Sequence, residues 1–461
     1  MSVLSIYTQP PSGVDIHALR TRLDGDLVVP GDPRWDEARR AWNLAVDQRP
    51  FAVALVDSAE DVVALVGFAS VHGLRIAPQG TGHGASAMES LEETILVKTE
   101  RMRGVEIDAV ARRARVEAGA IWADVVEPAA EHGFVVLHGS SPDVGVVGYS
   151  LGGGIGWLAR SHGLSANSVT AVELVTADGR LVRASEDEHP ELFWGMRGAG
   201  PNFGVVTAFE YRLHPLEHPI TFGTVSHPLE RARKLAGLFR ELAENGPDEL
   251  FLSFGTASYR SAWEPYVFLT VLHSGSPAQA ERDLAAVRAF GPPDRDSIQV
   301  MPHLAAQHLN DETQDWGHRF YMKSAFLPAF PDEAVDLCVE HATRAPDGAD
   351  CEFSVWAWGR AIADVAEEAT AFTGREAAVW LAAEALWDDD ALDDRCRAWG
   401  RDALSDFGPF ASAGRYVNDV AEVGADVARM VYGDAKYERL VALKREWDPD
   451  NVFRLNQNIR P

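Results

Sequence analysis

A chain of 461 residues exceeds what one hydrophobic core organises, so about three units of roughly 150 residues are expected. Its hydrophobic content of 46% and charged content of 24% are those of an ordinary globular protein. The formal charge of −27 repels phosphate backbones and anionic lipid, which argues against nucleic acid and membrane as partners.

The first residues, MSVLSIYTQPPSGVD, lack a basic stretch followed by an apolar core, and no run approaches 18 consecutive apolar residues, so a cytoplasmic location is the expectation. FAVALVDS (51–58) reads as a buried strand. Ser58 and Asp61 form a capping-box pattern that opens a helix closed by Gly73. LRIAP (74–78), TILVK (94–98) and RARVEAG (113–119) read as strands, and IWADVVEPAAEHG (121–133) as a helix that Pro128 would bend or delay. SVTAVELVTADGRLVRAS (168–185) is a hairpin turning at Asp178-Gly179, and FGVVTAFEYRLHP (203–215) is a strand that Pro215 ends. Beyond residue 215 come the helix LERARKLAGLFRELAENG (229–246), the strand YVFLTVLHS (266–274) and many tryptophans: Trp263, Trp316, Trp356, Trp358, Trp380, Trp387 and Trp399. These aromatics are mostly core, and some could line a cavity on a second sheet. Strands mixed with helices in this way indicate an α/β or α+β architecture. Cys338, Cys351 and Cys396 form an odd set with no C-x-x-C pair, and no histidine spacing suggests a metal site, so no metal is expected.

Two glycine clusters stand out. PQGTGHGASAM (78–88) follows a strand and encloses His83; SLGGGIGWLARSHG (150–163) holds Gly152, Gly153, Gly154 and Gly156. Gly154-x-Gly156-x-x-Ala159 formally fits a dinucleotide fingerprint, with Glu173 near the acidic position. The following helix is too short for a Rossmann unit, however, and Glu173 lies in mid-strand. Two such loops could grip one long dinucleotide by backbone N–H groups, with His83 beside its reactive end. Each cluster taken alone is equally a turn.

Four segments, in this order, carry a resemblance: PQGTGHGAS, SLGGGIGWLARSHGLSANSV, ELFWGMRGAGPNFGVVTAFEYRL and the terminal YERLVALKREWDPDNVFRLNQNIRP. Together with HLAAQHLNDETQDWGHRFYMKSAFL (303–327), they resemble the berberine-bridge-enzyme-like branch of the vanillyl-alcohol oxidase superfamily of FAD-dependent oxidoreductases, from about residue 27 to the last residue. The fold implied is α+β: a two-subdomain PCMH-type FAD-binding domain (1–214), interrupted by an α+β substrate domain with an antiparallel sheet (215–410), and completed by a returning segment (411–461).

The resemblance also implies site residues. Gln79, Gly80, Thr81, Gly82 and His83 stand where the family has R-S-G-G-H, so His83 is the candidate for a covalent bond to the flavin 8-methyl group, with Gly84 beside it. The family's second, cysteinyl link falls at Ser141 in GSSPDVG, so no thioether is expected. Cofactor contacts extend to Val144, Gly145, Gly148, Tyr149, the glycines 152, 153, 154 and 156, Val205, Val206, Asn456 and Asn458. Val144 stands where a small residue leaves room for O2. Tyr416, in the Y-x-N motif Tyr416-Val417-Asn418, is the implied base for an alcohol, or else a packed tyrosine. His308, Gln314, His318, Tyr321 and Lys323 lie on a stretch that faces the pocket in the family. Glu352, Trp356 and Trp358 alternate along a strand and would share a face, with Glu352 a base or amine anchor, or simply outward-facing. The activity implied is an oxidase moving a hydride from a small or medium-sized CH–OH or CH–NH substrate to FAD and on to O2. The segment PELFWGMRGAGPNFGVVTAFE and the tail resemble nicotine-oxidising members. The rival readings are an amine oxidase of that type and a flavin-dependent binding protein without turnover. A monomer or homodimer is expected.

Overall fold

The computed structural model describes residues 15–262, 264–310 and 317–461. Gln314, Trp263 and Trp316, and the first 14 residues read above for a leader, lie outside that set.

The fold is α+β. Its first sheet orders the strands Asp26–Val28, Ala52–Leu55, Thr94–Lys98 and Arg75–Gln79. The last three run parallel, linked by the helix Ala59–His72. That helix begins where the sequence places it: Ser58 Oγ accepts the Asp61 N–H, and Gly73 ends it in the left-handed region at φ 67°. A second, antiparallel sheet orders Val105–Asp108, Arg113–Glu117, Val205–Arg212, Val169–Val175 and Leu181–Ser185. Helices Trp122–Glu131, Val146–Leu151 and Pro190–Met196 and the terminal helical segment Ala425–Trp447, broken at Gly433 (φ 70°), cover it.

Two sequence expectations give way here. Pro128 does not delay its helix, which starts at Trp122 and runs past the proline to Glu131. Its first turn is secured instead by the Asp124 carboxylate, which accepts the Ile121 N–H at 3.0 Å. Pro215 does not end the long strand, which stops at Arg212; it pairs in a two-residue strand with Phe134.

The third sheet is antiparallel throughout. Its main strands lie in the order Ile220–Pro228, Tyr266–His273, Leu250–Ser258, Asp350–Ala357, Val379–Trp387 and Arg319–Leu327. Strand periodicity divides their side chains between two faces. One face, with Leu252, Phe254, Phe353, Val355, Leu381 and Ala383, packs under the helices Ala232–Asn245, Asp332–Thr343 and Asp393–Asp406. The other face carries Ser354, Trp356, Trp380, Glu352, Glu384 and Ser324, and looks towards the loop after residue 154 and the Tyr416 segment. The three cysteines are buried and unpaired on the helical side. Among the described residues, no helix is long and apolar enough to cross a membrane.

The C-terminal helix returns the chain to the first two sheets. Lys444, with its side chain wholly buried, pairs with Asp448 at 2.6 Å and donates to the carbonyls of Asn202 and Phe453. Asp448 in turn accepts the N–H groups of Val452 and Phe453 at 2.7 and 2.9 Å. All three Lys444 protons and both Asp448 oxygens are thereby engaged, the condition under which a buried ion pair is tolerated.

Candidate functional site

His83 follows the Arg75–Gln79 strand in a loop that only glycine permits. Gly82 has φ 90°, and a Cβ there would stand 2.9 Å from Ala41 Cα and Cβ. The approach brings Trp42 over the histidine: the rings stack 4.2 Å apart at 18°, and the Trp42 N–H donates to the Thr81 carbonyl. Thr81 Oγ1 lies 2.7 Å from His83 Nδ1, and Asp143 Oδ1 lies 3.6 Å from Nε2. Ser141 donates to the same Asp143 oxygen at 2.9 Å. Burial pushes the Asp143 carboxyl up, but its contacts with His83, Ser141 and Trp42 outweigh burial and hold it below the usual carboxylate range. Val144 and Gly145 continue this loop, with Gly145 packed close to Thr81.

The loop 141–145 feeds the helix Val146–Leu151, whose Tyr149 connects to the other half of the site. Asn418 Nδ2 donates to the Tyr149 carbonyl at 3.0 Å and to the Tyr416 hydroxyl at 2.9 Å. The Gly154 N–H also donates to that hydroxyl, at 3.2 Å. Burial, and then the charge of Asp419, push the Tyr416 phenol above its ordinary value. It therefore keeps its proton at neutral pH, which weakens the reading of Tyr416 as a ready base.

Beyond Tyr416 lies the polar face of the large sheet. Glu352 and Glu384 are direct register partners on adjacent strands. Tyr259 and Ser354 donate to Glu352, whose carboxyl burial pushes up. Glu384 is pushed up to about 8 by burial and then by the charges of Glu352 and Asp419. Asp419, 4% exposed, accepts the Trp380 indole N–H at 3.2 Å and is pushed up to about 7 by burial. Trp356 and Trp380 meet edge to face, 5.2 Å apart at 72°. Among the described residues, no ion pair reaches any of these three carboxyls.

Several expectations are corrected by this arrangement. The strand ends at Ala357, but Trp358 just beyond it stays on the side of Trp356, packing against Phe326 and Phe372 in the cluster that holds Trp380 and Tyr416. Tyr321 and Lys323 alternate with the site-facing Met322 and Ser324, so they point to the other side, where Tyr321 joins the helical core and Lys323 pairs with Glu422. His318 pairs with Asp388 on an exposed surface at 2.7 Å, and His308 lies 3.9 Å from Glu127. Gly152, Gly153, Gly154 and Gly156 are not an open cradle: side chains there would strike Asn418, Phe372, Ser165 with Tyr149, and the His138 carbonyl. The N–H groups of Gly153 and Gly154 are already bonded to Ser150 and Tyr416. Val205 and Val206 bury their side chains in two different cores, on opposite faces of one strand.

A cofactor fits elsewhere along the same loops. A Cβ at Gly84 or Gly148 would meet nothing within 4 Å, and one at Gly80 only the Ala118 carbonyl at 4.0 Å. Gln79 Oε1, His83 Nε2, Asp143 Oδ2, Tyr149 Oη and Asn458 Oδ1 are buried polar atoms without a hydrogen-bond partner. Asn456, at φ 70°, takes the turn before Asn458, whose N–H donates to its carbonyl. Open glycine backbone next to orphaned donors and acceptors suits a polar, extended ligand such as FAD.

Sequence reasoning passed over Trp42, Asp143, Glu384 and Asp419. Asp143 and Asp419 each adjoin a recognised motif, and Glu384 is a lone carboxylate in the apolar run AVWLAAEALW. Those signals were legible; Trp42 had none.

Comparison with known proteins agrees with this geometry. An FAD binding domain model matches residues 50–185, and a model described as berberine and berberine like matches residues 415–460. The chain is 30% identical over 463 residues to (R)-6-hydroxynicotine oxidase of Paenarthrobacter nicotinovorans, covering 95% of this chain and 97% of that protein. It is 27% identical over 482 residues to the FAD-linked oxidoreductase pgmH of Aspergillus terreus, covering 95% and 94%. Among solved structures, 6-hydroxy-D-nicotine oxidase from Arthrobacter nicotinovorans superposes with a TM-score of 0.85 at 30% identity, covering 95% of this chain and 98% of that one. Berberine bridge enzyme from Eschscholzia californica shares the fold, with a TM-score of 0.84 at 20% identity over 97% and 99% of the two chains.

Proposed function

Since the chain belongs to the berberine-bridge-like family of FAD-linked oxidoreductases, we propose that it is an oxidase carrying FAD covalently on His83 and acting on a small basic amine, with O2 as electron acceptor and H2O2 as product. Residues 1–214 and 411–461 would hold the cofactor, and 215–410 the substrate.

The observation that carries the substrate class is the face of Glu352, Glu384 and Asp419. Three carboxyls crowd this wall, beside two tryptophans, and among the described residues no cation forms an ion pair with them. Carboxyls raised by burial and mutual repulsion are relieved by an incoming cation, and aromatic faces add attraction for it. Bound FAD supplies the hydride acceptor for the carbon next to nitrogen. The chain's part is to seat the ammonium, take its proton on a wall carboxyl so that the amine is neutral, and keep water out with Trp356, Trp380 and Phe372. A neutral amine requires no further base, which agrees with a Tyr416 that keeps its proton and hydrogen-bonds Asn418 and Gly154.

The second reading, an alcohol oxidase, rests on the placement of Tyr416 at the junction of cofactor loops and sheet. An anaerobic panel of amines, alcohols, sugars and phenolic polyketides, read by flavin bleaching, separates the two. Bleaching by amines is expected. Bleaching by alcohols or sugars alone would replace the amine reading, and tight binding without bleaching by any compound would leave a binding protein.

A further inference from the structure

The loop 141–145 holds more than the vacated position of a second flavin link. Ser141 donates to Asp143 at 2.9 Å, Asp143 faces His83 Nε2 at 3.6 Å, Thr81 Oγ1 faces Nδ1 at 2.7 Å, and Trp42 lies flat on the imidazole. The other Asp143 oxygen and His83 Nε2 are both buried without a hydrogen-bond partner. The imidazole is thus fixed in plane by stacking and addressed at each nitrogen by a different group. A carboxylate only accepts, whereas a hydroxyl can donate. The nearby Asp143 carboxylate favours the tautomer with the proton on Nε2, and the Nδ1 lone pair, which accepts from Thr81, must be released by that hydroxyl before it can react.

We propose that Asp143, steadied by Ser141 and with Trp42 as platform, is the positioning residue and proton acceptor that makes His83 competent to attach FAD to the chain. This rests on the covalent linkage proposed above and explains how the protein would achieve it. In the step, one C–H proton of the 8-methyl group is given up and ends on a nitrogen of the flavin ring, and the Nδ1 lone pair then forms its bond to the carbon so opened. The C–H electron pair passes into the flavin ring system. Nδ1 now carries carbon, so the imidazole is cationic until Asp143 takes the Nε2 proton. The flavin is left reduced by two electrons and two protons, and dioxygen accepts both, leaving as hydrogen peroxide. Without the carboxylate, the cation formed at His83 has no acceptor, and the imidazole is free to turn its protonated nitrogen towards the methyl group.

The test follows attachment itself. Full-length protein is prepared as wild type, Asp143→Asn, Asp143→Glu, Ser141→Ala and His83→Ala. Apoprotein is mixed with FAD in air, and samples are acid-precipitated over time to measure flavin that remains on the polypeptide. Total FAD bound before precipitation is measured alongside. Wild type is expected to become covalently labelled. Asp143→Asn should bind FAD with the same stoichiometry but attach it about a hundredfold more slowly or worse, as for loss of a proton acceptor. Asp143→Glu should recover part of the rate, which a merely structural role would not predict. Ser141→Ala should slow attachment less than Asp143→Asn does. Attachment by Asp143→Asn at the wild-type rate overturns the proposal, and so does its failure to bind FAD at all. Release of all flavin from wild type by acid is a different result: it removes the covalent linkage itself, together with what rests on it.

Discussion

Glu352 and Glu384 stand opposite each other in register on neighbouring antiparallel strands, on the sheet face that looks towards Tyr416. Like charges directly across a ladder destabilise a sheet unless a proton or a cation lies between them. Glu384, raised to about 8, binds its proton more tightly folded than unfolded, as does Asp419, raised to about 7. The stability each contributes is complete below the ordinary carboxyl range and is lost as pH rises through its folded value. His138 and His303 act in the opposite sense. Burial lowers them to about 4 and about 3, so stability is lost as pH falls below about 6.5. Melting temperature should therefore peak in mildly acidic solution. Glu384→Gln should flatten the alkaline limb and leave the acid limb in place. An alkaline limb identical to that of wild type would show that Glu384 is ionised in the folded protein.

Seating an ammonium group removes the same strain. A non-oxidisable tertiary or quaternary amine should bind more tightly as pH rises from 5 to 8, because the wall loses its protons across that range. Equilibrium dialysis or flavin difference spectra would measure it. Affinity that is flat with pH would place the cation elsewhere.

Tyr416→Phe keeps the ring against Phe372 and deletes the hydroxyl that Gly154 and Asn418 share. With an amine substrate, anaerobic stopped-flow reduction should slow by less than about tenfold, since no hydroxyl proton has to leave. A loss of about 10²–10⁴ would be the signature of a general base and would restore the alcohol reading.

Lys444→Met leaves the Asp448 carboxylate buried with only two backbone donors. The expected loss is about 3–5 kcal/mol, read by denaturant unfolding. Because the pair anchors the tail at Asn202 and Phe453, proteolysis after Trp447 should become easier in the same variant.

Gly153→Val places a Cβ 2.4 Å from the Phe372 ring at φ 125°. Soluble yield should fall together with flavin content. Normal folding with selective loss of FAD would return this loop to the role of a phosphate cradle.

Much of this molecule follows from local pattern. The helix from Ser58 to Gly73, the Asp178-Gly179 hairpin and the alternating strands obey capping, turn and period-two rules that act within a few residues. The motif around His83 and the missing cysteine at Ser141 were equally legible, because they are fixed by residue identity and order. Tertiary structure decided the rest. Period two shows that Tyr321 and Met322 point oppositely, but only the packing of the helix Asp393–Asp406 settles which of them lies on the side of Glu384 and Tyr416. The glycines at 152–156 look alike in sequence whether they admit a ligand or a neighbouring side chain, and Asn418 and Phe372, more than 200 residues away, choose the second. Glu352 and Glu384 are 32 positions apart, and Asp143 and His83 are 60 apart. Their meeting depends on strand register and loop packing, which are fixed by the summed burial of many residues and by no local signal.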